Sequence, residues 1–496
     1  MAVREALMAD AAGPTILCLS RSYLSRLLPA MEARHDGARY LHVVQNERER
    51  AYIEGIGGRV VMSIESVVRD ALRDDRDRWE EPADFREVTG YPWSPIASDR
   101  YLPTFPPEMQ GRIAGALYHG LARVFAEHRI DAFLSEPVAL FVTHCAFYLS
   151  RKHGARRLMW GNAWFPDWFF FADGIHISRP VRSAPFPDGE REPLKASIES
   201  YFDGVVADRR GPAYHPSFFK GKLSPLAILR QRRGEQALIV QPGLMARAVQ
   251  RARLARVQLA RLGFPRFSDV LTAGAVDEHR MYLRALSTKP SCYDSVPTSH
   301  DPLRVVYPLQ YEPEASLLYF APDFRDQTVL VENALRALPH GATLWVKEHP
   351  NQFGALGAKP WQLLKRKYGA LRFVHGRQSG RDLIRNSALV VSVSSSAGMD
   401  ALAIGRQVLV VGEVYYRDWP GATAIRSYAE LAEALNYPAY YRPVENRESL
   451  IDALVEQGTR CYPGDPQPRS DLFSPENLNR LVAAVAAECA APVPTS

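Results

Sequence analysis

The sequence predicts an α/β protein of two Rossmann-like domains facing across a cleft, and three observations carry that reading. Short apolar runs of strand length alternate with helical patterns from Thr15 to Ile64. The same alternation returns at Leu303 and continues past Gly412. Between them, over roughly 180–300, the rhythm stops. Strands alternating with helices at this spacing imply βαβ units in parallel sheets. The expected division is an N-terminal Rossmann-like domain over 1–180, a basic helical insertion or linker packed with it over 181–300, a C-terminal Rossmann-like domain over 301–480, and a tail over 481–496.

In chain order, TILCLS (15–20), ARYLHVVQN (38–46) and GRVVMSI (58–64) read as three buried strands separated by helices. Gly55-Ile56-Gly57-Gly58 precedes a strand where a dinucleotide fingerprint would follow one, so it reads as a turn. Asp75-Arg76-Asp77 has the DxD pattern of a divalent-cation site but sits among arginines in a helical stretch, as a solvated face does. RIAGALYHGLARVFAEHRI (112–130) is an amphipathic helix. DAFLSEP (131–137) is a strand ending on Ser135-Glu136-Pro137, and the aromatic run through Trp164 and Trp168 suits core packing better than ligand stacking. In the second half, RVVYPL delivers Gln310 and Glu314 to a loop, and ATLWVKEHP, LRFVHG, ALVVSV and QVLVVG add further strands.

At 496 residues, with 46% hydrophobic and 23% charged, the chain is globular and long enough for two domains of about 200 residues each. No run reaches the roughly 18 apolar residues of a spanning helix. The opening MAVREALMADAAGP lacks an apolar core of signal-peptide length, and the five scattered cysteines form no CxxC pair. A cytoplasmic protein with reduced thiols is therefore expected, without a zinc site or disulfide framework. The net charge of +6 and pI near 9.0 admit nucleic acid, an anionic membrane surface or an acidic substrate as partners. Over 220–266 the chain carries eleven Lys and Arg against one acid, Glu235, and LMARAVQRARLARVQLARLG (244–263) is an arginine-rich amphipathic pattern. Such a helix is either a solvated face or a membrane-surface segment. Without a helix-turn-helix, an RNP sequence or zinc-finger spacing, nothing beyond charge supports nucleic acid.

The chemistry-bearing corners are LWVKEHP (344–350) and ALVVSVSSSAGMDALAIGRQVLVVG (388–412). Ligands of open α/β sheets sit at the carboxyl ends of strands, where both corners fall. Ser394, Ser395 and Ser396 stand where a helix begins, so their hydroxyls and the free N–H groups can hold an anion, most naturally a phosphate. Lys347 and His349 share a strand face, and Pro350 ends the strand. The alternative is a structural His-Pro corner with an ordinary serine cap. Across the cleft, Glu136 ends a strand and Asp99 follows the proline-rich stretch 89–103. Either suits a general base or nucleophile; equally, Glu136 can cap the helix that follows, and Asp99-Arg100 can be a surface ion pair.

YPLQYEPEAS, VKEHP and SVSSSAGMDALAIGRQVLVVGEVYY resemble the capsule polysaccharide biosynthesis family, which includes the 3-deoxy-manno-octulosonic acid (Kdo) transferases of lipid-linked capsule starters. The resemblance covers 303–419 well and the N-terminal half in general layout. It implies a GT-B glycosyltransferase fold and a metal-independent transfer from a nucleotide sugar, CMP-Kdo favoured, with no further cofactor. His349 would then contact the donor phosphate or leaving oxygen, with Lys347, Pro350, Glu314, Ser394, Ser395 and Ser396 lining the donor site. The N-terminal domain would bind a glycan or glycolipid acceptor, with the protein peripheral on the cytoplasmic membrane. Kdo transferases of the family retain configuration, which implies a covalent route. One departure is Met399-Asp400, where a glycine or leucine followed by Glu is expected. The other function classes open at this stage are a nucleotide-sugar epimerase and a non-catalytic scaffold of a polysaccharide assembly complex.

Overall fold

The structure is a computed structural model that describes residues 13–71, 78–207, 288–350, 352, 354–445, 447–468 and 471–491, with isolated positions 240, 245, 249 and 252. Asp75-Arg76-Asp77 and most of the arginine-rich segment 220–266 lie outside the described residues.

Six strands of the first unit are β1 (Thr15–Ser20), β2 (Arg39–Val44), β3 (Arg59–Ser63), β4 (Ala132–Ser135), β5 (Arg156–Asn162) and β6 (Trp168–Ala172). The second unit supplies β7 (Arg304–Pro308), β8 (Thr343–Lys347), β9 (Leu371–Val374), β10 (Leu389–Ser392), β11 (Gln407–Val410) and β12 (Ala422–Ala424), and β13 (Tyr462–Pro463) follows. The first sheet runs β13-β6-β5-β4-β1-β2-β3 and the second β12-β11-β10-β7-β8-β9. The second sheet is parallel throughout; in the first, only β6 and β13 run antiparallel to their neighbours. Strands such as β1 and β10 are buried at every position, as strands covered by helices on both faces must be.

Strand order reverses once in each sheet, between β4 and β1 and between β10 and β7. Ligand crevices of doubly wound sheets open at such reversals. Two Rossmann-like units are thus present, as the alternation predicts. A single buried apolar cluster runs through both, joining Phe85, Tyr91, Phe141 and Phe147 of the first to Val306, Tyr319, Met399 and Tyr416 of the second. At the seam the Tyr91 hydroxyl donates to the Leu318 carbonyl at 2.8 Å, and the Tyr91 and Tyr319 rings lie 5.1 Å apart.

The chain does not finish in the second unit. β13 pairs with β6, and the terminal helix Pro475–Ala490 supplies Leu478, Leu481 and Val485 to the cluster that packs against β1 through Ile16 and Cys18. This departs from the expected division, which carries the second domain to 480 and leaves the rest as a tail. The physical reason is β5 and its edge: Arg156, buried there, needs an acid. It finds Glu488 at 2.9 Å, which also accepts from the Ser183 N–H, the Ser183 hydroxyl and the Tyr462 hydroxyl. Removing one partner of a buried, hydrogen-bonded pair strands the other charge. Glu488→Ala is therefore expected to lower the unfolding free energy by about 3–5 kcal/mol, read from urea melts.

Candidate active site

The serine turn is built by three neighbours that the sequence does not place side by side. Ser395 caps the helix Ser396–Ala403, its hydroxyl accepting the Ala397 N–H at 3.2 Å. Under the turn lies the buried Tyr416: its hydroxyl donates to the Ser395 carbonyl at 2.5 Å and sits 2.9 Å from the Ser392 hydroxyl at the end of β10. Gly398 makes room for it, since a Cβ there would stand 2.4 Å from the Tyr416 hydroxyl. Asp400 forms a buried two-point pair with Arg381 at 3.0 and 3.3 Å, which locks the same helix to Gly380–Arg385. Ser394, Ser395 and Ser396 are all half-buried at the helix start. With the serine hydroxyls and the positive dipole end together, this is a cradle for an oxyanion.

The second corner divides its labour. Glu348 is buried and accepts from the Tyr293 hydroxyl at 2.8 Å and the Leu356 N–H at 3.0 Å, clamping two loops to the end of β8. Burial raises its pKa, against the hydrogen bonds it receives. Lys347 is also buried, donating to the Gly376 carbonyl at 3.0 Å and the Glu348 carbonyl at 3.3 Å. The expected direct contact of Lys347 with a phosphate is therefore corrected: its ammonium is turned into the loop after β9. His349 and Pro350 are half-buried at the strand end, and the Tyr311 ring stands edge-on to His349 at 5.8 Å. β7 separates β8 from β10, so His349 and the serine turn flank the reversal point from either side.

Glu314 follows β7 at that reversal, half-buried, its carboxylate accepting from the Ser316 hydroxyl at 3.1 Å. Burial raises its pKa, with the Arg100 charge and the Ser316 bond acting the other way. Arg100 comes from the first unit, and its Nε is buried without a hydrogen-bond partner among the described residues. What aims it is Asp99. The Asp99 carboxylate, buried, accepts from the N–H groups of Tyr101 at 2.7 Å, Leu102 at 2.8 Å and Phe141 at 2.6 Å. A carboxylate so engaged holds a loop, which corrects the expectation of Asp99 as a base. Glu136 ends β4 beside the other reversal, paired with Arg21 at 3.0 Å and accepting from the Tyr23 hydroxyl at 3.1 Å. It is a positioned and partly open carboxylate.

Sequence reasoning missed Tyr416, Arg100 and Arg21. Tyr416 lay inside a quoted motif without a role, and Arg100 stood next to a residue that drew the attention.

The reversal-point crevices, one with an anion cradle and the other with a held carboxylate, define the class: a two-unit α/β protein of GT-B layout. Residues 291–440, in the second unit, match the family described as capsule polysaccharide biosynthesis protein. No curated protein matches the chain. Among solved structures, it is similar to Thermosulfurimonas dismutans KpsC, beta Kdo 2,7 transferase (13% identity, TM-score 0.32, covering 74% of this chain and 88% of that one). It is similar also to the beta Kdo 2,4 transferase of the same KpsC (15%, TM-score 0.27, 66% and 87%). A third is the Methanocaldococcus jannaschii UDP-GlcNAc 2-epimerase (12%, TM-score 0.26, 89% and 98%).

Two outcomes are expected from this geometry. Tyr416→Phe leaves the Ser395 carbonyl and the Ser392 hydroxyl short of a partner and costs about 1–3 kcal/mol in urea unfolding, while Gly398→Ala, which forces the ring aside, costs more. Burial lowers the Lys347 pKa to about 8 from its usual 10.5. Between those values the unfolded chain binds more protons than the folded one, so stability rises with pH. Compared with Lys347→Met, the wild type should gain stability from pH 8 toward pH 10; a difference flat in pH would mean that Lys347 titrates normally.

Proposed function

We propose that the protein is a nucleotide-sugar-dependent glycosyltransferase of capsule or surface polysaccharide synthesis. On this reading it passes an acidic sugar, Kdo or a relative, from a CMP donor to a glycan or lipid-linked acceptor. The observation that carries it is the pair of corners, His349 and the braced serine turn, on either side of the strand reversal within the unit matched to the capsule family. Cleavage of a sugar–phosphate bond leaves charge on the nucleotide phosphate. The start of the helix Ser396–Ala403 and the His349 ring answer that charge without a change of geometry. Glu314 follows β7 at the same reversal, its carboxylate held by the Ser316 hydroxyl.

Glu136 is the acceptor-side group, as base in an inverting reaction or as nucleophile in a double displacement. Arg21 pairs with it, and Tyr23 fixes its orientation. The first unit then receives the acceptor. A lipid-linked acceptor would place the enzyme at an anionic cytoplasmic membrane face, which the composition of 220–266 supports. Among the described residues no helix is long and apolar enough to cross a membrane.

Calorimetry with CMP tests the donor side: His349→Ala should lose about 1.5–3 kcal/mol of binding, and a wild type indifferent to CMP, CDP and UDP alike would end the transferase reading. For the acceptor side, Glu136→Gln should keep CMP affinity and lose nearly all transfer, followed by mass spectrometry of the product; normal turnover would remove Glu136 from the chemistry.

A further inference from the structure

A cavity of about 410 Å³ opens beside the candidate active site, lined by Arg179, Glu413, Tyr415, Arg417, Trp419 and Arg426 among others. That volume falls in the usual range of small-molecule sites, about 300–1,000 Å³. Arg179 comes from the first unit and the rest from the turn after β11 and the start of the segment after β12, so the cavity belongs to both units. Its lining adjoins, in the chain, the residue that supports the serine turn: Tyr416 braces that turn from below, and Tyr415 lines the cavity, the two rings 5.3 Å apart. A neighbouring space of about 210 Å³ shares Glu413, Arg417 and Arg426 and reaches Tyr91, His176 and Phe320 at the seam.

We propose that this cavity binds a carboxylate-bearing sugar unit of the glycan substrate, gripped by Arg179 and Arg426 over a floor of Arg417 and Trp419. The proposal deepens the glycosyltransferase reading by naming a substrate class for the space beside the phosphate cradle. The charges are arranged for it. Arg417 is tied to Glu413 and lies 3.9 Å from Asp418, so it is held in place. Arg179 and Arg426 are exposed at the rim and, among the described residues, carry no ion pair. Both are close enough to depress the Arg417 pKa, after burial and against Asp418. Three guanidiniums facing one space repel one another, and a carboxylate relieves that repulsion while taking paired N–H bonds from a fork. Trp419 and Tyr415, edge to face at 5.6 Å, offer ring surface to the apolar face of a sugar, and Glu413 and Asp418 offer acceptors to its hydroxyls.

The test uses the full chain, tri-galacturonate as the anionic probe and neutral maltotriose as its control, with binding followed by calorimetry and by tryptophan fluorescence. Wild-type protein should bind tri-galacturonate with an affinity that falls as salt rises, and should ignore maltotriose. Arg179→Gln combined with Arg426→Gln, both at exposed positions, should weaken tri-galacturonate at least tenfold. Equal binding of the two trisaccharides, or a double variant that binds tri-galacturonate as the wild type does, would overturn the proposal. CMP titrated into the same samples keeps the two readings apart. Loss of tri-galacturonate with CMP affinity intact places the acidic sugar here. A wild type blind to CMP that still binds tri-galacturonate removes the transferase reading and leaves this site standing. Repeating the titration with CMP already bound separates the sources: undiminished binding assigns the carboxylate to the acceptor, and competition assigns it to the donor sugar.

Discussion

The reversal of strand order between β10 and β7 is the constraint on which the rest of the site depends. Helices that leave neighbouring strands in opposite directions cannot both cover the gap between them, so the backbone ends there stay open to a ligand. Everything polar that the sequence places at those ends then faces one crevice: Glu314 after β7, the serines after β10, and His349 one strand further on. The first sheet repeats the device between β4 and β1, and Glu136 with Arg21 and Tyr23 falls at that gap. Two equivalent openings result, one beside the serine-capped helix start and one beside a held carboxylate.

Most charged groups near the crevice hold others in place. Asp99 gives its carboxylate to three backbone N–H groups, Glu348 clamps two loops, and Arg381 and Asp400 neutralise each other inside. Buried charges are tolerated only when they are paired or hydrogen-bonded, so each of these had to be satisfied before the site could be rigid. The consequence for chemistry is selective. The groups on the rim of the crevices are His349, Glu136 and Arg100, and a rim group supported by a satisfied layer keeps its geometry.

Periodicity made the strands of both sheets legible, because a parallel strand buried on both faces is a short, unbroken apolar run, as TILCLS and ALVVSV are. The two corners were legible for a related reason: His-Pro and a triple serine are poor choices for the interior of any element, so they mark ends. What the sequence could not show is pairing at long range. Arg156 and Glu488 are 332 positions apart, and their contact, with the apolar face of the terminal helix, returns that helix to the first sheet. Asp99 misled for the opposite reason, since an acid on a proline-rich loop looks available until its hydrogen bonds are counted. Tyr416 reads as one of many apolar aromatics; its hydroxyl matters only because Gly398 lets the ring under the serine turn.

The seam between the units shows how they can enclose a substrate and still present charge to it. Its core is aromatic and neutral: burial lowers the His144 pKa to about 3, and burial followed by the Arg417 charge lowers that of His176 to about 4, so neither ring is protonated at neutral pH. Tyr91, Tyr319 and Phe320 complete a dry contact whose strength does not change with pH in the physiological range. The arginines stand at its edge, where His176 and Phe320 give way to Arg417 and Arg426. An anionic ligand entering there meets guanidiniums on one side and a low-dielectric wall on the other, which strengthens the attraction. The neutrality of the seam and the charge of the cavity are therefore two sides of one arrangement: protonated histidines in the seam would repel the neighbouring arginines, and neutral ones let the arginines stand together at its edge.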